Sequence, residues 1–181
     1  GIKVPAIAHQ AIASGAIGVT CAKLGEAEIM AAAGIQDILI ANQIVGPVKI
    51  ARLVSLRRQA DVKVAVDNEA NVVELGEAAR AKGVELGILV ELDIGMHRAG
   101  VAPGQPTLDL SRIVHEMPGL RYLGLMAWEG HTRAIDDLDL RRQEIEKSVG
   151  LLTESAELCH EAGLPVSIVS AGGSGTYYVT A

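Results

Sequence analysis

The 181-residue sequence predicts an α/β fold of the barrel kind, a partial (β/α)8 barrel. Three observations carry that reading. Short β-branched runs alternate with helical stripes along the whole chain, as in a parallel sheet whose strands are joined by helices. In the strand expected over Leu86–Ile94, residues Ile88, Val90, Leu92 and Ile94 make one apolar face, and Leu89, Glu91 and Asp93 make the other. A coat of helices on one side and a polar interior on the other suits a barrel better than a doubly wound open sheet. Finally, six strands can be read where a closed barrel takes eight in about 250 residues. The chain, 1–181, is therefore expected to be one barrel domain without its first and last strands.

Each element has its own signal. Val4, Ile7, Ala8, Ala11 and Ile12 are spaced for one buried helix face at the start. Ile17–Cys21 reads as a strand, and Leu24–Ala33 as a helix stopped by Gly34. Strand Asp37–Ala41 precedes a helix over Pro47–Arg58, with the proline in the first turn, where its missing N–H is tolerated. Val62–Asp67 is a strand, Glu69–Lys82 a helix closed by Gly83, and Leu86–Ile94 the clearest strand of all. A helix near Thr107–Glu116 leads to strand Tyr122–Glu129. A long helix carries Ile145, Val149, Leu152, Ala156 and Cys159 on one stripe and ends at Gly163, before a last strand over Val166–Ser170.

Composition narrows the function. Hydrophobic residues make up 49% and charged residues 21%, enough apolar material for a packed core and too little charge for a disordered chain. With no Phe, one Trp and three Tyr, bases have few aromatic platforms to stack on, and a net charge of −6 opposes a phosphate backbone. No nucleic-acid partner is expected. No apolar run approaches the ~18 residues of a membrane span, and the opening residues lack a signal-peptide layout. Cys21 and Cys159 lie far apart without ligand spacing, which suits a reducing, cytoplasmic setting. His9, His97, His115 and His160 show no metal-ligand spacing, so no metal site is expected in this chain. The run Arg141, Arg142, Glu144, Glu146, Lys147 reads as a solvated helix face.

Several stretches go further. They are Lys3-Val4-Pro5-Ala6-Ile7-Ala8, Gly18-Val19-Thr20-Cys21-Ala22-Lys23-Leu24-Gly25-Glu26-Ala27-Glu28, Asp37-Ile38-Leu39-Ile40-Ala41-Asn42-Gln43, Asp93-Ile94-Gly95-Met96-His97-Arg98-Ala99-Gly100-Val101, Gly124-Leu125-Met126, and Ser170 through Tyr177. In this order the sequence resembles the D-threonine aldolase and D-serine dehydratase family, enzymes of pyridoxal 5′-phosphate (PLP) with an alanine-racemase-like barrel. The resemblance implies a PLP-dependent lyase acting on D-β-hydroxy amino acids, D-threonine aldolase-like, that cleaves Cα–Cβ to give glycine and an aldehyde. The alternatives are a D-serine or D-3-hydroxyaspartate dehydratase on the same scaffold, or a protein that binds PLP without catalysis. It also implies a C-terminal β-domain holding a divalent metal (Mn, Mg or Zn), absent from these residues, and a homodimer at full length.

Lys3 matches the last lysine of the family's Pro-His-x-Lys-Thr-His-Lys segment, with Gly1 and Ile2 where the family has Thr-His. This places the Schiff-base lysine just upstream of residue 1, so the isolated chain is expected to be inactive unless the register differs and Lys3 substitutes.

The resemblance puts Arg98 near the cofactor's ring oxygen, where a guanidinium holds a phenolate-like oxygen charged. Ser170, Gly172, Gly173, Ser174, Gly175 and Thr176 are expected to hold the phosphate, because glycines admit an anion close to backbone N–H groups and hydroxyls add donors. Trp128 falls where the aldolases carry a Tyr beside the pyridine ring; an indole donates a hydrogen bond but does not ionise as a phenol does. His131 reads as the catalytic acid–base candidate, or as a plain loop histidine. Gln43 and Thr20 are polar lining at other strand ends. Glu91 and Asp93 are expected to pair inside the barrel, with Lys63 or Arg98, and Lys23 to start a helix.

Overall fold

A computed structural model describes residues 3–180; Gly1 and Ile2, where the lysine motif begins to diverge, lie outside the described residues. The elements run α1 (Pro5–Ala13), β1 (Val19–Cys21), α2 (Leu24–Ala32), β2 (Asp37–Gln43), α3 (Pro47–Leu56), β3 (Asp61–Val66), α4 (Glu69–Ala81), β4 (Leu86–Leu92), α5 (Gln105–Glu116), β5 (Leu120–Ala127), α6 (Leu138–Glu161), β6 (Ile168–Ser170) and α7 (Tyr177–Thr180). All six expected strands are present. A 3-10 turn over Gly130–Ala134 and the short α7 are additions that the periodicity does not signal. The strands follow one another in sheet order from β1 to β6. The β1–β2, β2–β3 and β5–β6 pairs are parallel, as chain-ordered strands joined by helices require.

The chain divides into two compact units, 1–88 with 116–121 and 89–115 with 122–181. In the first, Ile38, Ile40, Val62 and Val64 from the strands and Leu53, Val54, Val72 and Leu75 from the helices are completely buried. Each such aliphatic side chain contributes about 1.5–3 kcal/mol relative to exposure. Asn68 caps α4, its Oδ1 accepting the Ala70 N–H at 2.9 Å. Lys63 is buried to 7% exposure, and its ammonium donates to Asp37 at 2.8 Å and Asp61 at 2.9 Å. These carboxylates sit opposite each other in the β2–β3 register, at the strands' first residues. Arg57 and Arg121 also reach Asp61, at 3.2 and 3.6 Å.

In the second unit Leu89, Val90, Leu125, Ile145, Leu152 and Cys159 form the core. Asp137 caps α6 with one oxygen accepting the N–H groups of Asp139 and Leu140, both at 2.9 Å. The buried stripe of α6 includes Ile145, Ser148, Leu152, Ala156 and Cys159. Ser148 occupies the place on the stripe expected for Val149, which is half-buried, and its hydroxyl faces the ring of His131. β4 is buried along its whole length, Glu91 included, so both of its faces are covered. Among the described residues no helix is long and apolar enough to cross a membrane.

Candidate functional site

The second unit gathers its unusual backbone and its polar groups in the segments that follow β4, β5 and β6. After β4 the chain makes a loop and returns: Asp93 N–H donates to Val101 O, and Val101 N–H to Glu91 O, both at 2.9 Å. Gly100 makes the return possible. Its φ is +102°, and a β-carbon there would lie 2.4 Å from Asp93 N. Asp93 shapes the loop from inside, one oxygen accepting the N–H groups of Gly95 (3.0 Å) and His97 (2.9 Å), the other facing the His97 ring at 3.2 Å. Burial pushes the Asp93 carboxyl up, but the His97 and Gly95 amides and the His97 ring outweigh it and hold it below its ordinary value. His97 itself adopts a left-handed φ of 50°, uncommon for a residue with a side chain. Asp93 thus fixes the loop, and Lys63, the partner expected for Glu91 or Asp93, binds Asp37 and Asp61.

This loop presents Arg98. Its guanidinium lies over the Trp128 ring, 5.5 Å from the centroid, a cation–π contact. Trp128 follows directly from β5 and packs closely: a β-carbon on Gly130 would meet its ring at 2.5 Å, and one on Gly173 would lie 3.2 Å from its Nε1. His131 sits in the 3-10 turn, its ring against Gly95, where a β-carbon would lie 2.5 Å away. His131 Nε2 faces Ser148 Oγ at 3.4 Å and Glu144 Oε1 at 3.7 Å, while its Nδ1 is buried without a partner.

Glu129, between Trp128 and the turn, is completely buried and organises the glycine loop after β6. One carboxylate oxygen accepts the Thr176 hydroxyl and the other the Gly172 N–H at 3.2 Å. The Gly173 N–H in turn donates to Thr176 Oγ1 at 3.0 Å. The loop therefore differs from the sequence expectation in which donors are open. The Thr176 hydroxyl and the amides of Gly172 and Gly173 all have internal partners. Among the described residues, the Ser174 N–H, the Ser174 hydroxyl and the Gly175 N–H have none. Ser170 ends β6, paired in register with Met126.

Thr20 and Gln43 belong to the first unit, on β1 and at the end of β2. A register shift between Ile40 and Gln43 marks a bulge, the device by which a strand re-aims its last side chains. Lys23 is the N-cap residue of α2, as expected. Lys3 pairs with Glu26 at 2.8 Å, and that hydrogen bond and charge raise its pKa. A protonated ammonium is the wrong form for a nucleophilic amine. Cys21 is likewise held protonated: burial, helped by the Glu26 charge, pushes its thiol up to about 11. Among the described residues no group of three or more His, Cys, Asp or Glu is placed to hold a metal ion.

Comparison with known proteins shows the family. The alanine racemase N-terminal domain family matches residues 1–180. The chain belongs to that family. Within it, the chain is 35% identical to the 3-hydroxy-D-aspartate aldolase of Paracoccus denitrificans over 91% of this chain and 43% of the relative. The crystal structure of D-threonine aldolase from Filomicrobium marinum superposes with a TM-score of 0.95 at 37% identity, over 98% of this chain and 48% of that one. D-threo-3-hydroxyaspartate dehydratase from Delftia sp. HT23 gives 0.89 at 30% identity, over 98% and 47%. The chain thus spans about half the length of these relatives, and the barrel fold of the alanine racemase N-terminal domain, read from the sequence, is its fold.

Arg133 and Glu129 were not among the residues singled out from the sequence. Glu129 carries a signal in principle, as a carboxylate at the end of an otherwise apolar strand. Arg133 carries none, because only the fold brings the 3-10 turn to the glycine loop.

Proposed function

We propose that the chain is the cofactor-binding part of a PLP-dependent lyase acting on D-β-hydroxy amino acids, cleaving D-threonine-like substrates to glycine and an aldehyde. The observation that carries the reading is the convergence, in one unit, of a stacked Arg98 and a glycine loop whose Ser174 and Gly175 donors are open. The residues fit the cofactor's two polar ends: a planar cation for a ring oxygen and a donor-rich loop for a phosphate. The aldolase relatives support the substrate class. Bound PLP supplies an electron sink for the charge left at the substrate's α-carbon.

The chain's own residues have distinct tasks in this reading. Arg98 donates to the ring oxygen while Trp128 holds its plane. Trp128 donates through Nε1–H and takes no proton, so it is not the base that removes the substrate's hydroxyl proton. His131 is the proton-carrier candidate, the ring whose Nε2 faces Ser148 and Glu144. The metal of the longer relatives is supplied outside the described residues, and the chain alone binds the cofactor without turnover.

The test is to titrate the protein with PLP while following its single tryptophan, then to add D-threonine and Mn²⁺ and analyse the products. Saturable quenching with no turnover is the expected result. Glycine and acetaldehyde from the chain alone would keep the lyase assignment and overturn the statement that it is inactive. Formation of 2-oxobutanoate and ammonia would move the assignment to the dehydratases, and absence of quenching would overturn cofactor binding.

A further inference from the structure

We infer that Arg133 is a phosphate-binding residue of this site, acting with the Ser174 N–H, the Ser174 hydroxyl and the Gly175 N–H on a phosphate monoester dianion. The inference rests on the PLP reading and names the residues that hold the phosphate end.

The hydrogen bonds of the loop lead to it. The sequence offers Gly172 to Thr176 as one cradle, yet four of its seven donors are directed inward, the Thr176 N–H among them through Gly173 O. Gly172 N–H and the Thr176 hydroxyl go to Glu129, and Gly173 N–H goes to Thr176. What remains open lies at Ser174 and Gly175, both exposed. The Glu129 carboxylate gives the loop its shape and is fully buried against Gly172 and Thr176, so an anion held by the neighbouring Ser174 and Gly175 donors comes close to an acidic group. Like charges at short range oppose each other, so the site requires a cation.

Arg133 meets that requirement. It projects from the 3-10 turn and lies along Gly175, where a β-carbon would sit 3.7 Å from its Cγ and Nε. Its side chain is exposed, and among the described residues it makes no ion pair or hydrogen bond. The other arginines of this unit are placed differently: Arg98 stacks on Trp128, Arg112 faces Asp109, Arg141 donates to Ile135 O and Arg142 pairs with Glu146. A guanidinium recognises phosphate with two parallel donors, and the absence of a side chain on Gly175 lets it lie flat against the loop. Since the turn also carries His131, one short segment serves the phosphate and the proton-handling ring.

The experiment compares PLP, pyridoxal and inorganic phosphate as ligands of the whole chain, by quenching of Trp128 and by ³¹P line broadening, for the native protein, Arg133→Gln and Arg133→Lys. Because Arg133 is exposed and unpaired, Arg133→Gln folds normally, which far-UV circular dichroism checks. The expected result is an affinity for PLP and for phosphate about tenfold lower in Arg133→Gln, with partial recovery in Arg133→Lys and pyridoxal binding unchanged. An unchanged PLP-to-pyridoxal ratio in Arg133→Gln overturns the inference while leaving PLP binding intact. Arginine-dependent binding of phosphate with no preference for PLP keeps the inference and overturns the cofactor reading. Native protein that binds none of the three overturns both.

Discussion

The two units of this chain use their charged and polar groups in opposite ways. In the first, Lys63, Asp37, Asp61, Arg57 and Arg121 satisfy one another around the first residues of β2 and β3. In the second, the segments after β4, β5 and β6 hold left-handed backbone, a stacked arginine, a buried carboxylate binding a loop and a set of open donors. Both contain buried charge, so burial of charge does not by itself mark a functional site. The difference is whether the polar groups finish with one another or are arranged to leave some unfinished.

The strongest test of this contrast is steric. Gly124 in β5 has a φ of +136°, and a β-carbon there would lie 2.1 Å from Ile168 O on β6. Gly124→Ala combines left-handed strain with a clash against backbone, and is expected to cost about 3–5 kcal/mol, seen as a lower urea midpoint. Gly150→Ala, inside α6 with open space around it, is the control and is expected to gain about 0.5–1 kcal/mol. Equal effects at the two positions would mean that the approach of β5 and β6 is looser than the geometry indicates.

Glu129 is next, and it separates architecture from binding. Glu129→Ala leaves the Gly172 N–H without an acceptor and the Thr176 hydroxyl with only the long contact to Gly173 O at 3.4 Å, where a lost buried hydrogen bond costs about 1–3 kcal/mol. Stability is expected to fall by about 2 kcal/mol, and the preference for PLP over pyridoxal to fall with it, because the loop loses its shape. A stable variant with its preference intact would show that the loop is formed by its glycines alone.

Much of this molecule was legible in the sequence because periodicity is a local property. Strand alternation and helical stripes placed all six strands, and the motif after β4 pointed to Arg98. What was not legible depends on contacts between distant segments. Ser148 looked like a polar interruption beside the stripe until His131 was seen to face it. Thr176 reads as a phosphate donor in the sequence, but its hydroxyl donates a hydrogen bond to Glu129, 47 positions away. The partners of Lys63 lay on β2 and at the start of its own strand, rather than on the strand with the most conspicuous acids.

Lys63 offers the complementary test in the first unit. Lys63→Met removes the shared cation from two carboxylates whose side chains remain 39% and 37% exposed. Because water reaches both acids, the cost is expected to be about 1–3 kcal/mol, less than for a sealed pair. PLP binding at temperatures where the variant is folded is expected to be unchanged. The pH dependence follows from Asp61. Burial raises its carboxyl, but Lys63, Arg57 and Arg121 together hold it below its ordinary value. A depressed pKa stabilises the fold above the unfolded carboxyl's pKa, and that stabilisation is lost as pH falls through the lowered value. In Lys63→Met the loss is expected to begin at higher pH, measured as thermal stability against pH. Identical acid limbs for the two proteins would mean that the two arginines suffice.

The smallest expected effect addresses the open side of the contrast most directly. Trp128 is the sequence's one tryptophan, so tryptophan emission reports on the surroundings of this single ring, the Arg98 guanidinium among them. Arg98→Lys keeps the charge but loses the planar group, a change of about 0.5–1 kcal/mol at an exposed site. Stability is expected to move little while the emission maximum shifts and PLP binding weakens, because an ammonium does not hold the same plane over the indole. Lys63→Met is expected to leave that emission untouched. If Arg98→Lys instead binds PLP as well as the native chain does, charge alone serves the ring oxygen, and the stack on Trp128 is packing, of the same kind as the closed ion network of the first unit.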